Sequence, residues 1–274
     1  MSRIRPIIKY HGGKGLLQSW IRSKFPKDFS AFVEPFGGAG NVVLNMPPTQ
    51  VEVYSDLDPV LCNLFNIVKN NCLEFCKKTE PIECKEEVFL YYKDLLASEK
   101  FQKINALEQA VTYFVVKRMS KGGIGKQFSS SKRIYSLGPE NLQNWTTAKQ
   151  SIPAISNRLQ SIQILNKNAI DVIREFDSSG TLFYLDPPYF PSSRIAKKVY
   201  NYEMTEEEHE DLYRLVTSLN GIVAISGYHC KQYDKWYDSW ALHERSVGNN
   251  SNQTMKSQGS RKIECLWINT PYAF

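Results

Sequence analysis

Three short apolar runs, at 31–33, 51–54 and 181–185, each end in an acidic or turn-forming sequence, and a fourth lies at 221–226. Runs this short and this continuous suit strands buried on both faces of a parallel sheet. Helix-period stretches separate them at 16–25, 59–69, 170–176 and 205–219. The last opens on Thr205 with Glu208 three residues on, the spacing of a capping box. This alternation predicts a doubly wound, Rossmann-like α/β sheet. The stretch 70–160 keeps a different rhythm, with helix periods at 86–96 and 105–119 and no strand signal between them. Residues 1–69 and 161–274 are therefore expected to build one α/β domain that a helical lobe, 70–160, interrupts. The segment 247–262, rich in Asn, Ser, Gln and Gly, reads as a loop.

Charge changes the picture locally rather than globally. Thirty-four basic residues against twenty-eight acidic ones leave a net +6, a modest excess. Between 117 and 133, however, stand Lys117, Arg118, Lys121, Lys126, Lys132 and Arg133 with no acid among them, mixed with Gly, Ser and Gln. A positive surface of this kind suits a polyanion. The six cysteines are scattered, with no CxxC pair, so reduced structural thiols are expected and no metal site. No apolar run reaches the roughly 18 residues of a membrane span, and the N-terminus lacks the features of a signal peptide, which points to the cytoplasm.

Glu34-Pro35-Phe36-Gly37-Gly38-Ala39-Gly40 puts a glycine cluster directly after the first strand and ahead of a helix expected near Asn41. Glycines there let a nucleotide-like ligand approach the backbone, though a plain tight turn would read the same way. The next strand ends on Asp56, an acid placed to accept hydrogen bonds from ribose hydroxyls. Together the two elements imply an adenosine-bearing ligand and leave NAD, FAD and S-adenosylmethionine open. Asp186-Pro187-Pro188-Tyr189, after the 181–185 strand, narrows the choice. An exocyclic amino group is a poor nucleophile because its lone pair is delocalised into the ring. If the Asp186 carboxylate accepts one N–H and the Pro187 carbonyl the other, the nitrogen moves toward tetrahedral geometry with its lone pair free, and the carboxylate stabilises the charge that develops there. Pro188 helps to fix the extended turn, and Tyr189 is placed to stack on a base swung out of a duplex. Lys9-Tyr10-His11-Gly12-Gly13-Lys14 precedes a helix and reads as a second ligand loop or a capping turn.

With these segments in place, and with Tyr202-Glu203-Met204, His209 and Ile225-Ser226-Gly227-Tyr228 beside them, the chain resembles the Dam-type DNA N6-adenine methyltransferases along nearly its whole length. The resemblance implies S-adenosyl-L-methionine as methyl donor, leaving S-adenosyl-L-homocysteine. It also implies double-stranded DNA as substrate, a target-recognition role for 70–160, and a bacterial or phage source, with a cognate restriction endonuclease as a conceivable partner. It places Tyr10 and Lys14 in the cofactor pocket with Glu34, Pro35, Phe36, Ala39 and Gly40, Gly37 and Gly38 near the methionine part, and Asp56 on the ribose. Where the family carries an acid followed by an aromatic, this chain has Asn168-Ala169, so the Asn168 side-chain carbonyl would take the adenine amino group. Lys9, Arg118, Lys121, Lys126, Gln127, Lys132 and Arg133 supply candidate DNA contacts. Arg194, Lys197 and Lys198, after the tetrapeptide, are candidates to close over the flipped nucleotide. The insert lacks the pattern of members that read GATC, so that specificity is not implied. RNA or protein-amide methylation, or binding without catalysis, are the rival readings; Asp rather than Asn at 186 favours a base. His209, His229 and His243 have no metal-like neighbours in sequence and are expected to be bystanders.

Overall fold

The computed structural model describes residues 3–10, 12–131, 133–135, 138–191, 203–247 and 262–269. Its strands are β1 Ala31–Glu34, β2 Val51–Ser55, β3 Ile134–Tyr135, β4 Gly138–Pro139, β5 Gln163–Leu165, β6 Thr181–Leu185, β7 Ile222–Gly227, β8 Ala241–Val247 and β9 Lys262–Ile268. Its α-helices are α1 Gln18–Arg22, α2 Pro59–Asn70, α3 Cys72–Thr79, α4 Glu86–Ala97, α5 Ala106–Met119, α6 Glu140–Leu159, α7 Ala169–Glu175, α8 Glu206–Val216 and α9 Lys231–Trp236. Seven strands form one sheet in the order β5-β2-β1-β6-β7-β9-β8. The first five are parallel; β9 runs against both β7 and β8.

The period of two along each strand divides the core. Phe32, Tyr54, Leu182 and Tyr184 point to one face and pack with residues of α2, α3, α5 and α6, such as Phe65, Phe75, Phe114 and Trp145. Val33, Val53, Phe183 and Leu185 point to the other, against Val172 and Ile173 of α7, Leu212 of α8 and Tyr233 of α9. Both faces of the sheet are covered, which is why its central strands read as unbroken apolar runs. The helices of 70–160 thus share a buried cluster with the first face of the sheet. A buried ion pair reinforces that contact: the Arg158 guanidinium of α6 spans both carboxylate oxygens of Glu52 on β2. Its Nη2 also donates to the Val43 and Met46 carbonyls at 3.0 and 3.2 Å.

The expected helices at 59–69, 86–96, 105–119, 170–176 and 205–219 are present within a few residues, and Thr205 and Glu208 form the capping box in full. No α-helix begins near Asn41. A single 3₁₀ turn, Val43–Asn45, stands there instead, and Met46 then turns extended ahead of Pro47, whose ring disfavours helical backbone before it. The sequence reading passed over α3, α6, β5 and the β8–β9 hairpin that flanks 248–261.

Candidate active site

The sheet reverses direction between β1 and β6. From β1 the chain order runs outward through β2 and β5, and from β6 it runs the other way through β7. Crossover connections therefore leave these two neighbouring strands on opposite sides, and a crevice opens at their carboxyl ends. The glycine segment follows β1 and Asp186-Pro187-Pro188-Tyr189 follows β6, so both border it. A cavity of about 310 Å³ occupies the crevice. Every residue anticipated for a cofactor lines it except Gly40: Tyr10, Lys14, Glu34, Pro35, Phe36, Gly37, Gly38, Ala39, Asp56, Asn168, Ala169 and Asp186. Leu57, Ile170, Met204, Glu203, Glu208 and Asp211 line it as well; of these Glu203 and Met204 had drawn attention through the family pattern, and Glu208 only as a helix cap.

Close packing shapes the glycine loop. A Cβ at Gly37 would lie 2.1 Å from Cε2 of Tyr54, so the ring of β2 requires a bare backbone there. The Tyr54 hydroxyl donates to the Gly38 carbonyl at 2.7 Å, and Gly38 takes a φ of +48°, a region where side chains are strained. Asp56 accepts the Gly38 N–H at 2.8 Å on Oδ2 and the Asp58 N–H at 2.9 Å on Oδ1. The carboxylate expected on a ribose thus also clamps the loop; burial raises its pKa while those backbone N–H groups oppose the rise. Asn168 Oδ1 accepts the Ile170 N–H at 2.8 Å as the N-cap of α7. Capping occupies part of the carbonyl that the sequence reading offered to an adenine amino group, and the side-chain NH₂ remains a donor.

Opposite the loop lies a group of charges. Lys14 Nζ sits 2.7 Å from Asp186 Oδ1, 3.5 Å from Glu264 Oε1 and 4.8 Å from the centre of the Tyr189 ring. Tyr189 donates its hydroxyl to Glu264 at 2.5 Å and meets Tyr228 edge-on at 4.5 Å. Its ring, expected to stand open to a base, is only 6% exposed because the phenol is drawn inward to that carboxylate. Tyr228 is the more exposed of the two. Burial raises the Asp186 pKa to about 6, with Glu264 adding to the rise and Lys14 opposing it. Glu34 is also buried, which holds its carboxyl well above the ordinary range although Oε2 accepts the Val43 N–H at 2.7 Å. Glu264 was missed, because a lone acid ahead of the apolar run 265–268 carries no sequence mark of a site.

The family description "D12 class N6 adenine-specific DNA methyltransferase" matches residues 10–250, which spans both the glycine loop and the tetrapeptide. The chain belongs to this family. It is an enzyme that methylates adenine N6 in DNA. Curated relatives agree. A "Type II methyltransferase M1.LlaDCHI" of Lactococcus lactis subsp. cremoris is 24% identical over 93% of this chain and 92% of its own length. "DNA adenine methylase" proteins are 28% identical in Haemophilus influenzae, over 68% of this chain and 64% of theirs, and 25% in Escherichia coli K12, over 93% and 94%. A methyltransferase family implies a methyl donor, and a crevice that joins a glycine loop to a tetrapeptide on adjacent strands has room for one.

The residues anticipated at the DNA divide into two groups. Lys121, Lys126, Gln127 and Arg133 are exposed on the loop after α5. Hydrogen bonds from Lys121 N to Gln127 O and from Gly125 N to Ser120 Oγ close that loop. Gly123 brings it against the Lys9 backbone, leaving no room for a Cβ, and Lys9 adjoins Tyr10 of the cavity. Lys9 itself is half-buried, and burial lowers its pKa, with Arg118 adding to the effect. Arg118, by contrast, donates Nε to the Ile7 carbonyl at 2.5 Å and Nη2 to that of Pro6, so it holds the N-terminal segment in place. Burial lowers its pKa to about 10. Lys132, Arg194, Lys197, Lys198, His11 and Tyr202 lie outside the described residues.

The remaining sequence readings fall as follows. His229 does have neighbours: Nδ1 lies 2.7 Å from Asp234 of α9 and Nε2 2.6 Å from Glu244 of β8, a pairing that the sheet brings about by placing β8 near the end of β7. His209 is fully buried, with Nδ1 2.9 Å from the Tyr233 hydroxyl. All six cysteines are free thiols. Among the described residues no helix is long and apolar enough to cross a membrane.

Proposed function

We propose that the methyl donor is S-adenosyl-L-methionine, held between the glycine loop and Asp186, and that the acceptor is an adenine extruded from double-stranded DNA. In this reading Asp56 faces the ribose and Tyr10 and Lys14 wall the cavity. Leu57, Ala169 and Ile170 supply the apolar bed for the adenine of the donor, in place of the aromatic that the family pattern would put at 169. Asp186 accepts one N–H of the target amino group and the Pro187 carbonyl the other, freeing the N6 lone pair. That pair forms the new N–CH₃ bond, the S–CH₃ pair stays on sulfur as S-adenosyl-L-homocysteine, and the methylated N6 gives its extra proton to water. Tyr228, beside Tyr189 and more open than it, offers a face to the extruded base.

One observation carries the reading: the carboxylate that would grip the amino group stands in the wall of the same cavity as the glycine loop, at the reversal point of the sheet. Two groups on one crevice can be held in a reactive geometry without solvent between them. Helices and loop of 70–160 act as the target-recognition element, with Lys121, Lys126, Gln127 and Arg133 meeting DNA and Arg118 serving the fold. Transfer of labelled methyl to methylation-free plasmid DNA, RNA and an amide peptide tests this. Label in N6-methyladenine of duplex DNA is expected; label in RNA or peptide alone overturns it.

A further inference from the structure

Among the described residues the charges beside Asp186 are two carboxylates and one ammonium, and Glu264 is the member that no motif explains. Because β9 runs antiparallel to β7, with Cys265 opposite Gly227, its first residues reach the sheet edge where β6 and β7 end. Glu264 is there 3% exposed, takes the Tyr189 hydroxyl, and lies 3.5 Å from the ammonium that Asp186 holds at 2.7 Å. A buried carboxylate without a matching cation is costly, and such a group persists where its charge has a use.

We propose that Glu264 is a positioning residue of methyl transfer: it receives the Lys14 ammonium when Asp186 turns to the target amino group, and it fixes the Tyr189 ring. The inference rests on the reading above. While Lys14 donates to Asp186, the carboxylate is a weaker acceptor for an adenine N–H, and a bare ammonium beside N6 would oppose the positive charge that grows there. With Lys14 handed to Glu264, the three groups retain one net negative charge at the place where that positive charge develops. Glu34, held toward its neutral form by burial, does not upset the count.

Among the described residues the groups that face Asp186 are Lys14 from the N-terminal loop, Glu34 at the end of β1, Tyr184 of β6, Tyr189, Tyr228 after β7, Tyr233 of α9 and Glu264 of β9. Burial raises all four tyrosines, so none of them titrates below neutrality. Glu264 pushes the Asp186 pKa up and Lys14 pulls it down. The two variants must therefore move the acid limb of kcat in opposite directions, which a purely structural role would not do.

The test is the pH–rate profile on methylation-free plasmid DNA at saturating S-adenosyl-L-methionine. In Glu264→Gln, kcat is expected to fall about ten- to hundredfold, the acid limb to move to lower pH, and donor affinity by calorimetry to stay within about twofold. Lys14→Met should move the limb to higher pH. Should Glu264→Gln not fold, Glu264→Asp, which keeps the charge and withdraws it by one methylene, should give a smaller fall and a smaller shift in the same direction. An unmoved limb in a folded variant, or donor affinity lost in step with kcat, overturns the inference. Absence of N6-methyladenine with the unaltered protein would instead sink the reading on which it rests.

Discussion

Two buried ion clusters in this molecule look alike in composition and differ in use. At Arg158 and Glu52 one guanidinium meets one carboxylate, and Ser161 with the Val43 and Met46 carbonyls takes up further bonding capacity. Its charges are balanced, although the buried Arg158 Nε has no hydrogen-bond partner among the described residues, and it ties α6 to β2. At Lys14, Asp186 and Glu264 one ammonium stands between two carboxylates, and Asp186 keeps 19% of its side chain exposed to the cavity. That cluster is open and carries surplus negative charge. A balanced set fixes structure, whereas an unbalanced one at a crevice retains capacity for a ligand.

The sharpest way to break this contrast is to remove one member from each cluster. Asp186→Ala should cut kcat by about a thousandfold, roughly 4 kcal/mol of transition-state stabilisation, while donor affinity in calorimetry changes little. Equal loss of both would place Asp186 on the donor instead. Arg158→Ala should do the reverse, lowering unfolding free energy by about 3 kcal/mol or more, because Glu52 is left buried and unpaired; kcat per folded molecule should hold. Denaturant melts read the first quantity and active-site titration the second.

Smaller effects sharpen the picture. The carboxylate form of Asp186 is the one that accepts an N–H, and its pKa is raised to about 6. Because that is the pKa of the free protein, kcat/KM for DNA should be full above that pH and fall about tenfold per unit below it, a limb that a stopped assay across pH 5 to 8 at limiting DNA would reveal. An acid limb near the ordinary aspartate range would mean that the site is wetter than it looks. Mildest of all, Lys121→Ala with Lys126→Ala should lower DNA affinity and reduce the slope of log K against log salt by about one per lost phosphate contact. An unchanged slope would take the loop after α5 off the DNA.

Legibility in the sequence tracked how local the cause was. The runs that became β1, β2, β6 and β7 were readable because burial on both faces leaves them mostly apolar. The capping box at Thr205 was readable because its bonds span three residues. Helix α6 was not, since Pro153 interrupts it and polar residues dominate its outer face; what holds it is Trp145, Ile152, Ile155 and Arg158 packed on the sheet. Nor was β5, three residues long and defined by pairing with β2. At the site, the glycine loop and the tetrapeptide announced themselves, while Glu264 did not.

The order of apolar strands, the glycine loop and the Asp-Pro-Pro-Tyr segment belong to the sequence itself, because each depends on neighbours a few residues away. Partnerships between distant groups were decided only by the folded sheet: Arg118 on the N-terminal backbone, Asp56 on the glycine loop, and Glu264 beside Lys14. A hydrogen bond between residues far apart in the chain depends on strand order and register, and those are set by how the whole core packs.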